Sequence, residues 1–426
     1  MAYIEEKLKE INGLTVHTIP SGKFKTNTIV LKLLAPLKKE DVTLRALLPY
    51  VLQRGNKNFP TSTALRQHLD GLYGATLNVD LAKKGEHHII SFRMDIANEK
   101  FLADQTPLLE QGIKLLSDII LHPLTDGEGF TDNILNEEKR TLKQRIQSVY
   151  DDKMRYSNLR LVQEMCKDEP YELHVNGEID QLDEITRTSL YEYYKKILKE
   201  DKIDLYVAGD VKQEEIEKYV ETYFSFTENK AVQPVKSMTK ENPQVKEVIE
   251  QQDVQQGKLN IGYRTNSTYA DDDYCALQVF NGIFGGFSHS KLFINVREKE
   301  SLAYYAASRV ESHKGILMVM SGIQSENFGK AVKIITEQMA AMKKGDFTDT
   351  EMEQTKAVIR NQLLETIDTS YGLIEVLYHN VAAGRNRSFD DYLEGIAQVT
   401  KEEVVKVAEK IEQDTIYFLT GMGEKA

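Results

Sequence analysis

Arg297 and Tyr304, separated by six residues, are of types that can do chemistry on a carbonyl group. A guanidinium can bind peptide carbonyl oxygens, and a phenol can donate a hydrogen bond to an oxyanion as it develops. The pair closes an ordered run, Gly285-Gly286-Phe287-Ser288-His289-Ser290-Lys291-Leu292-Phe293, then Val296-Arg297-Glu298-Lys299-Glu300-Ser301-Leu302-Ala303-Tyr304. An arginine near a helix C-terminus also complements the helix dipole, and a strand tyrosine is ordinary core, so the flanking run gives the pair its meaning. Gly285 and Gly286 are not a nucleotide loop, because the Gly-Lys-Ser/Thr ending and the dinucleotide spacing are both missing. Among the nine histidines there is no His-x-x-Glu-His pattern. His87 and His88 are neighbours on an expected strand and point to opposite faces, so they make no ligand pair; they read as surface or hydrogen-bonded histidines. No Gly-x-Ser-x-Gly nucleophile turn occurs either.

The elements that must hold these residues can be read from periodicity. Ser290 to Glu300 reads as a helix, Ser301 as a break and Leu302 to Val310 as a strand, with Tyr304, Ala306 and Ser308 on one face. In the first half, 14–19 and 28–33 read as strands around a Pro20-Ser21-Gly22 turn. Segments 41–54 and 62–72 read as helices, 87–95 as a strand, and 105–120 and 130–150 as long helices. The same order recurs downstream: Phe130-Thr131-Asp132 answers Phe347-Thr348-Asp349, Lys139 answers Lys356, and Asp151 answers Asp368. Thr348 with Glu351 makes a capping box. Thr186 with Leu190, Tyr193, Tyr194 and Ile197 matches Thr400 with Val404, Val407, Ala408 and Ile411 at amphipathic helical spacing. Each half then ends in a strand running into glycine, at Gly209 and Gly421. A spacing of about 215 residues makes the repeat unit a whole domain. The expected organisation is α+β: two similar tandem domains, 1–228 and 247–426, joined by a polar linker at 229–246. Each carries a mixed, mostly antiparallel sheet packed with several long helices.

The glycine-to-tyrosine run closely resembles the substrate-gripping element of the pitrilysin/insulinase/mitochondrial processing peptidase family of zinc proteases. Arg54-Gly55-Asn56, Phe59-Pro60-Thr61 and Leu69 to Asn78 resemble the segment that follows that family's zinc helix. The resemblance covers roughly residues 10 to 424. It implies half of a clamshell chamber, with Arg297 and Tyr304 reaching toward a peptide bound at the metal of the opposite half. It also implies that two histidines on one helix, a glutamate between them and a second glutamate on a later helix supply ligands and general base. Counting back from the anchored segment puts Ala46 and Tyr50 at the histidines and Pro49 at the glutamate. Arg145 falls where the later glutamate belongs. Alanine has no donor atom, tyrosine ionises only near pKa ~10, proline has no carboxylate, and arginine is a permanent cation. Proline inside a helix also costs ~3 kcal/mol and tends to kink it. No metal and no cofactor are expected.

The chain therefore resembles the inactive member of a bacterial homologous pair. The implied role is a non-catalytic, peptide-gripping subunit of a zinc-bearing homologue, in a heterodimer. The alternative is a structural or peptide-binding homodimer with no part in proteolysis. A length of 426 residues suits two domains. A net charge of −12 argues against nucleic acid as partner, since binding phosphate demands basic surface. No apolar run reaches the roughly 20 residues of a membrane helix, and the charged N-terminus lacks a signal-peptide core, so a cytoplasmic location is expected. Cys166 and Cys275 are expected as two buried thiols.

Overall fold

The strand segments pair into two mixed sheets, six strands in one and five in the other. The computed structural model describes residues 3–103, 106–226 and 244–422. The first half begins with β1 (Lys7–Ile11), β2 (Leu14–Pro20), β3 (Thr26–Pro36), α1 (Val42–Gln53), α2 (Ser62–Gly71), β4 (Thr76–Lys84) and β5 (His87–Ala97). It continues with α3 (Leu108–Leu121), the short ribbon β6 (Thr125–Asp126) and β7 (Gly129–Phe130), α4 (Asp132–Asp151) and α5 (Lys153–Met165). It ends with α6 (Ile179–Leu182), α7 (Arg187–Glu200), β8 (Lys202–Gly209) and α8 (Gln213–Tyr223). In the second half come β9 (Lys246–Gln252), β10 (Gly257–Arg264), α9 (Tyr274–Asn281), β11 (Ala303–Glu311) and β12 (Ile316–Ile323). These are followed by α10 (Phe328–Lys343), α11 (Asp349–Thr366), α12 (Ser370–Ala383), α13 (Phe389–Gln398), α14 (Lys401–Lys410) and β13 (Glu412–Gly421). Most of the expected linker, 229–243, lies outside the described residues, and its last residue Lys246 already opens β9.

The two sheets repeat one topology. Their orders are β1-β2-β8-β3-β5-β4 and β9-β13-β10-β12-β11. β2 and β8 run parallel, as do β9 and β13, and the other pairings are antiparallel. The helix starts repeat too. Thr186 and Thr400 form capping boxes at α7 and α14, and Thr348 forms one with Glu351 at α11. Thr131 starts α4 without a side-chain cap. One expectation changes: β2 and β3 do not pair across the Pro20-Ser21-Gly22 turn, because β8 lies between them. β8 is buried along almost its whole length, and a strand apolar on both faces needs neighbours on both edges.

Each half covers a face of the other's sheet. α12 lays Leu373, Ile374, Leu377 and Tyr378 against Val30, Leu34 and Tyr206 of the first sheet. α5 lays Leu161 and Met165 on the second sheet, near Tyr417, Met318 and Ile316. The approach is close enough that a Cβ at Gly262 would meet the Met165 sulfur at 2.6 Å. Each fully buried apolar side chain contributes roughly 1.5–3 kcal/mol, so these exchanged helices hold the halves together. Among the described residues no helix is long and apolar enough to cross a membrane. Cys166 is a buried thiol as expected, but Cys275 is only half buried, and neither forms a disulfide.

Polar groups are sealed into the seam beside α12. Lys84 donates to Nε2 of His379 at 3.4 Å, which leaves Nδ1–H of His379 to donate to Nε2 of His313 at 2.7 Å. Burial, then the Lys84 and Lys32 charges, push His379 down to about 3; burial and its neighbours His379, Lys84 and His87 push His313 well below the usual range. In the unfolded chain both would titrate near 6.5. Because the folded values are depressed, this pair's contribution is complete above about pH 6.5 and is lost as pH falls toward the folded values. Thermal denaturation at pH 7 and pH 4.5 is expected to show a larger loss for the native chain than for His313→Asn/His379→Asn. Equal losses would remove the pair from the seam's acid sensitivity.

Candidate functional site

The residues counted to the lost metal position do come together, around the C-terminal half of α1. Ala46 is wholly buried in the first core. Pro49 is also buried, and α1 runs through it from Val42 to Gln53 without a break. Proline is accommodated against the sheet side of the helix, where Leu33, Ile90 and Phe92 leave only a cavity of about 10 Å³ beside it. Tyr50, one turn beyond Ala46, emerges from the core. Its ring lies under the Arg145 guanidinium, 3.6 Å from the ring centroid. α4 delivers Arg145 by packing directly on α1. Burial raises the Tyr50 hydroxyl above its ordinary value and Arg145 only partly opposes it, so the phenol is protonated at neutral pH.

These residues do not fit a zinc ion. Two of the four positions carry no donor, the third is a neutral phenol, and the fourth is a guanidinium stacked on that phenol. Among the described residues no group of three or more His, Cys, Asp or Glu side chains could hold a metal. His87 and His88 are not on the surface; β5 carries both into the interior. Burial and the Arg45 charge hold His88 well below the usual histidine range. Next to Tyr50 the site opens into a pocket of about 370 Å³, whose wall includes Arg54, Arg66, Glu138 and Arg145. Arg54 is ion-paired with Glu138 and, at 3.2 Å, with Glu137. Sequence reasoning missed this pairing, although the spacing held the signal. Tyr50 on α1 and Arg54 at its C-terminal cap are one turn apart, Glu138 and Arg145 are two turns apart on α4, and each pair therefore faces one way.

Arg297 and Tyr304 line a second pocket of about 460 Å³ together with Gln256, Ser301, Gln324 and Asn327. The chain reaches it through two π-helical stretches, 282–286 and 293–299, rather than through the single regular helix expected from Ser290 to Glu300. Such wide turns insert a residue into the helical ladder and recur at functional sites. Arg297 is exposed, with its guanidinium 4.6 Å from the Phe293 ring centroid. Ser301 then takes a left-handed φ of 51°, and the Leu302 N–H donates to the Val296 carbonyl at 3.1 Å. On β11 the expected alternation fails. Ala303 opposes Ile323 but Ala306 opposes Ser321, so one extra residue is accommodated at Tyr304-Tyr305. That bulge separates Tyr304, 76% exposed, from Ala306 and Ser308, which are buried. Bulges re-aim side chains in this way.

Gly285 and Gly286 do not line the pocket; they allow the first π turn to close on β11. A Cβ on Gly285 would lie 2.5 Å from the Ser308 hydroxyl and 2.8 Å from the Ser308 nitrogen, and one on Gly286 would lie 2.9 Å from Asn281 Nδ2. Gly285→Ala is expected to cost about 1–3 kcal/mol by overpacking and to displace the bulged strand. Urea denaturation measures the first effect; an unchanged midpoint would show that the turn yields freely.

The two pockets occupy equivalent places in the repeated topology. β4 and β11 are the corresponding edge strands, and each pocket lies where the chain enters that strand, with Leu77 lining one and Ala303 and Tyr304 the other. The first carries Tyr50 and Arg145, two of the residues counted to the metal position by the resemblance, and the second an exposed arginine and tyrosine.

Residues 184–359 match the peptidase M16 inactive domain. The chain is 57% identical to the probable inactive metalloprotease YmfF of Bacillus subtilis over 99% of both chains. It is 23% identical to the uncharacterized zinc protease YmxG of the same bacterium over 70% of this chain and 72% of the other. A crystal structure of a conserved protein from Enterococcus faecalis superposes with a TM-score of 0.89 at 33% identity, covering 99% of this chain and 100% of that one. The chain belongs to the peptidase M16 family, and within it is an inactive metalloprotease homologue.

Proposed function

We propose that the chain is the non-catalytic subunit of a zinc-bearing homologous peptidase, closing the partner's chamber and gripping the peptide through Arg297 and Tyr304. The observation that carries this reading is the contrast between the two pockets. Ala46 and Pro49 have been absorbed into the core, whereas Tyr304 is held out at 76% exposure beside Arg297. A purely structural protein has no need of an arginine and a tyrosine held at this spacing. The likeness of this one chain both to an inactive homologue and to a zinc protease of a single bacterium is consistent with a pair of related subunits.

Native mass spectrometry of the chain purified from its host at natural abundance tests the proposal. The expected result is a one-to-one complex with a chain of similar size that carries His-x-x-Glu-His and one zinc ion. A metal-free homodimer with no such companion would overturn it and favour the binding or scaffold role.

A further inference from the structure

We propose that the pocket at the former metal position is a carboxylate-binding site, taking an acidic side chain or the C-terminal carboxylate of a bound peptide. The proposal rests on the peptide-binding reading above and assigns the first pocket a ligand of its own. Its wall carries three arginines and one carboxylate, in a chain whose net charge is −12. Arg54 is the arginine already satisfied, by Glu138 and Glu137. Arg145 makes no ion pair among the described residues, and its Nη1 is buried without an acceptor. The Tyr50 ring holds that guanidinium by a cation–π contact but does not neutralise it. Arg66, exposed on α2, also makes no ion pair among the described residues.

Two positive charges thus face an open space of about 370 Å³ without a counter-charge of their own. Unpaired guanidinium donors favour planar oxyanions, which they grip with two parallel hydrogen bonds. The hydroxyl protons nearby are already committed to the backbone. Ser62 donates to the Arg54 carbonyl at 3.1 Å and Thr141 to the Glu137 carbonyl at 3.0 Å. The donors left for a ligand are the arginines and the protonated Tyr50, which also lines the pocket. The acidic groups that bear on Tyr50 are Glu138, engaged with Arg54, and Asp80 on the exposed edge strand β4. A phosphate-rich polymer is disfavoured, since the chain as a whole carries a net charge of −12. The site that would hold a cation in an active relative has therefore reversed its sign. In place of a metal that polarises a peptide carbonyl, it presents fixed donors to a group that is already anionic.

The test uses fluorescence anisotropy of the full chain with three labelled alanine-based peptides. One has a central Glu and an amidated C-terminus, one a central Gln and a free C-terminus, and one a central Gln and an amidated C-terminus. The expected result is that one of the two carboxylate peptides binds at least about tenfold tighter than the uncharged one, and which of them does so identifies the source of the carboxylate. Arg145→Met is expected to abolish the preference and Arg66→Ala to weaken it, with added salt eroding it in the native chain. Arg66 is exposed, so its variant keeps the core intact, and circular dichroism checks the fold of Arg145→Met. Equal affinity for all three peptides, no binding of any of them, or a preference that survives in Arg66→Ala/Arg145→Met would overturn the proposal. The subunit reading is judged separately, by cleavage in the mixed complex of Arg297 and Tyr304 variants, so the two can fail independently.

Discussion

Tyr304→Phe is expected to lower peptide cleavage by the mixed complex about a hundredfold while leaving the subunits associated, the size of effect seen when one oxyanion donor is removed. The variant is clean because the ring already stands in solvent at 76% exposure, so removing its hydroxyl disturbs no packing. Surface changes of this kind fall within about 0.5 kcal/mol of the native stability. The two residues should also differ kinetically. A phenol that donates only to developing negative charge acts in the transition state, so its loss falls on kcat. A guanidinium that holds peptide carbonyls throughout acts on substrate and transition state alike, so Arg297→Ala should appear chiefly in KM. Cleavage of a fluorogenic peptide, with association followed by analytical ultracentrifugation, separates these outcomes. Full activity in both variants would remove the second pocket from catalysis.

The sequence and the fold agree where the controlling interaction is local. Thr348 with Glu351 predicts the start of α11 because a capping box is complete within one turn, and the structure closes both of its hydrogen bonds. The amphipathic spacing after Thr186 and Thr400 likewise places α7 and α14, since the apolar stripe alone decides which face is buried. The strand order was not legible. Nothing between residues 14 and 33 shows that β8, far along the chain, will separate β2 from β3. The exchange of α5 and α12 between halves was hidden for the same reason: an apolar helix face records that it is buried, not against which sheet.

The candidate sites divide along the same line. Arg297 and Tyr304 were legible as a spacing, and Ala46, Pro49, Tyr50 and Arg145 as replacements at positions implied by the family resemblance. The bulge that exposes Tyr304 was not, because an extra residue is defined only relative to a partner strand, and period-two reasoning assumes none. Nor does the Gly285-Gly286 pair reveal by type alone whether the missing Cβ makes room for a ligand or for Ser308. At the positions the resemblance implies, sequence shows which residue types stand there. It takes the packing of α4 on α1 to show what they do together, a guanidinium over a phenol ring.

Lys314→Met should destabilise the chain by about 3–5 kcal/mol, the cost of stripping a buried ion network of one partner. The Lys314 ammonium is 2.6 Å from Glu86 and 2.6 Å from Glu169, with 1% of its side chain exposed. Glu169 is shared with Arg264, which reaches it at 2.8 Å and Asp414 at 3.0 Å. Burial opposes ionisation of Glu169, but its bonds to Arg264 and Lys314 outweigh this and hold the carboxyl below the usual range. Glu86 and Glu169 belong to the first half, Arg264, Lys314 and Asp414 to the second, so the network crosses the seam that α5 and α12 also cross. Removing Lys314 leaves Glu169 with Arg264 but leaves Glu86 without its described ion-pair partner. Lys314→Met/Glu86→Gln should therefore recover part of the loss, because the second change removes the stranded charge. Urea denaturation of the native chain, both single variants and the double variant gives the coupling energy directly. A coupling near zero would mean that water already screens the network, leaving the exchanged apolar helices to fix the relative placement of the two pockets. A coupling of several kcal/mol would mean that the charges contribute to that placement as well.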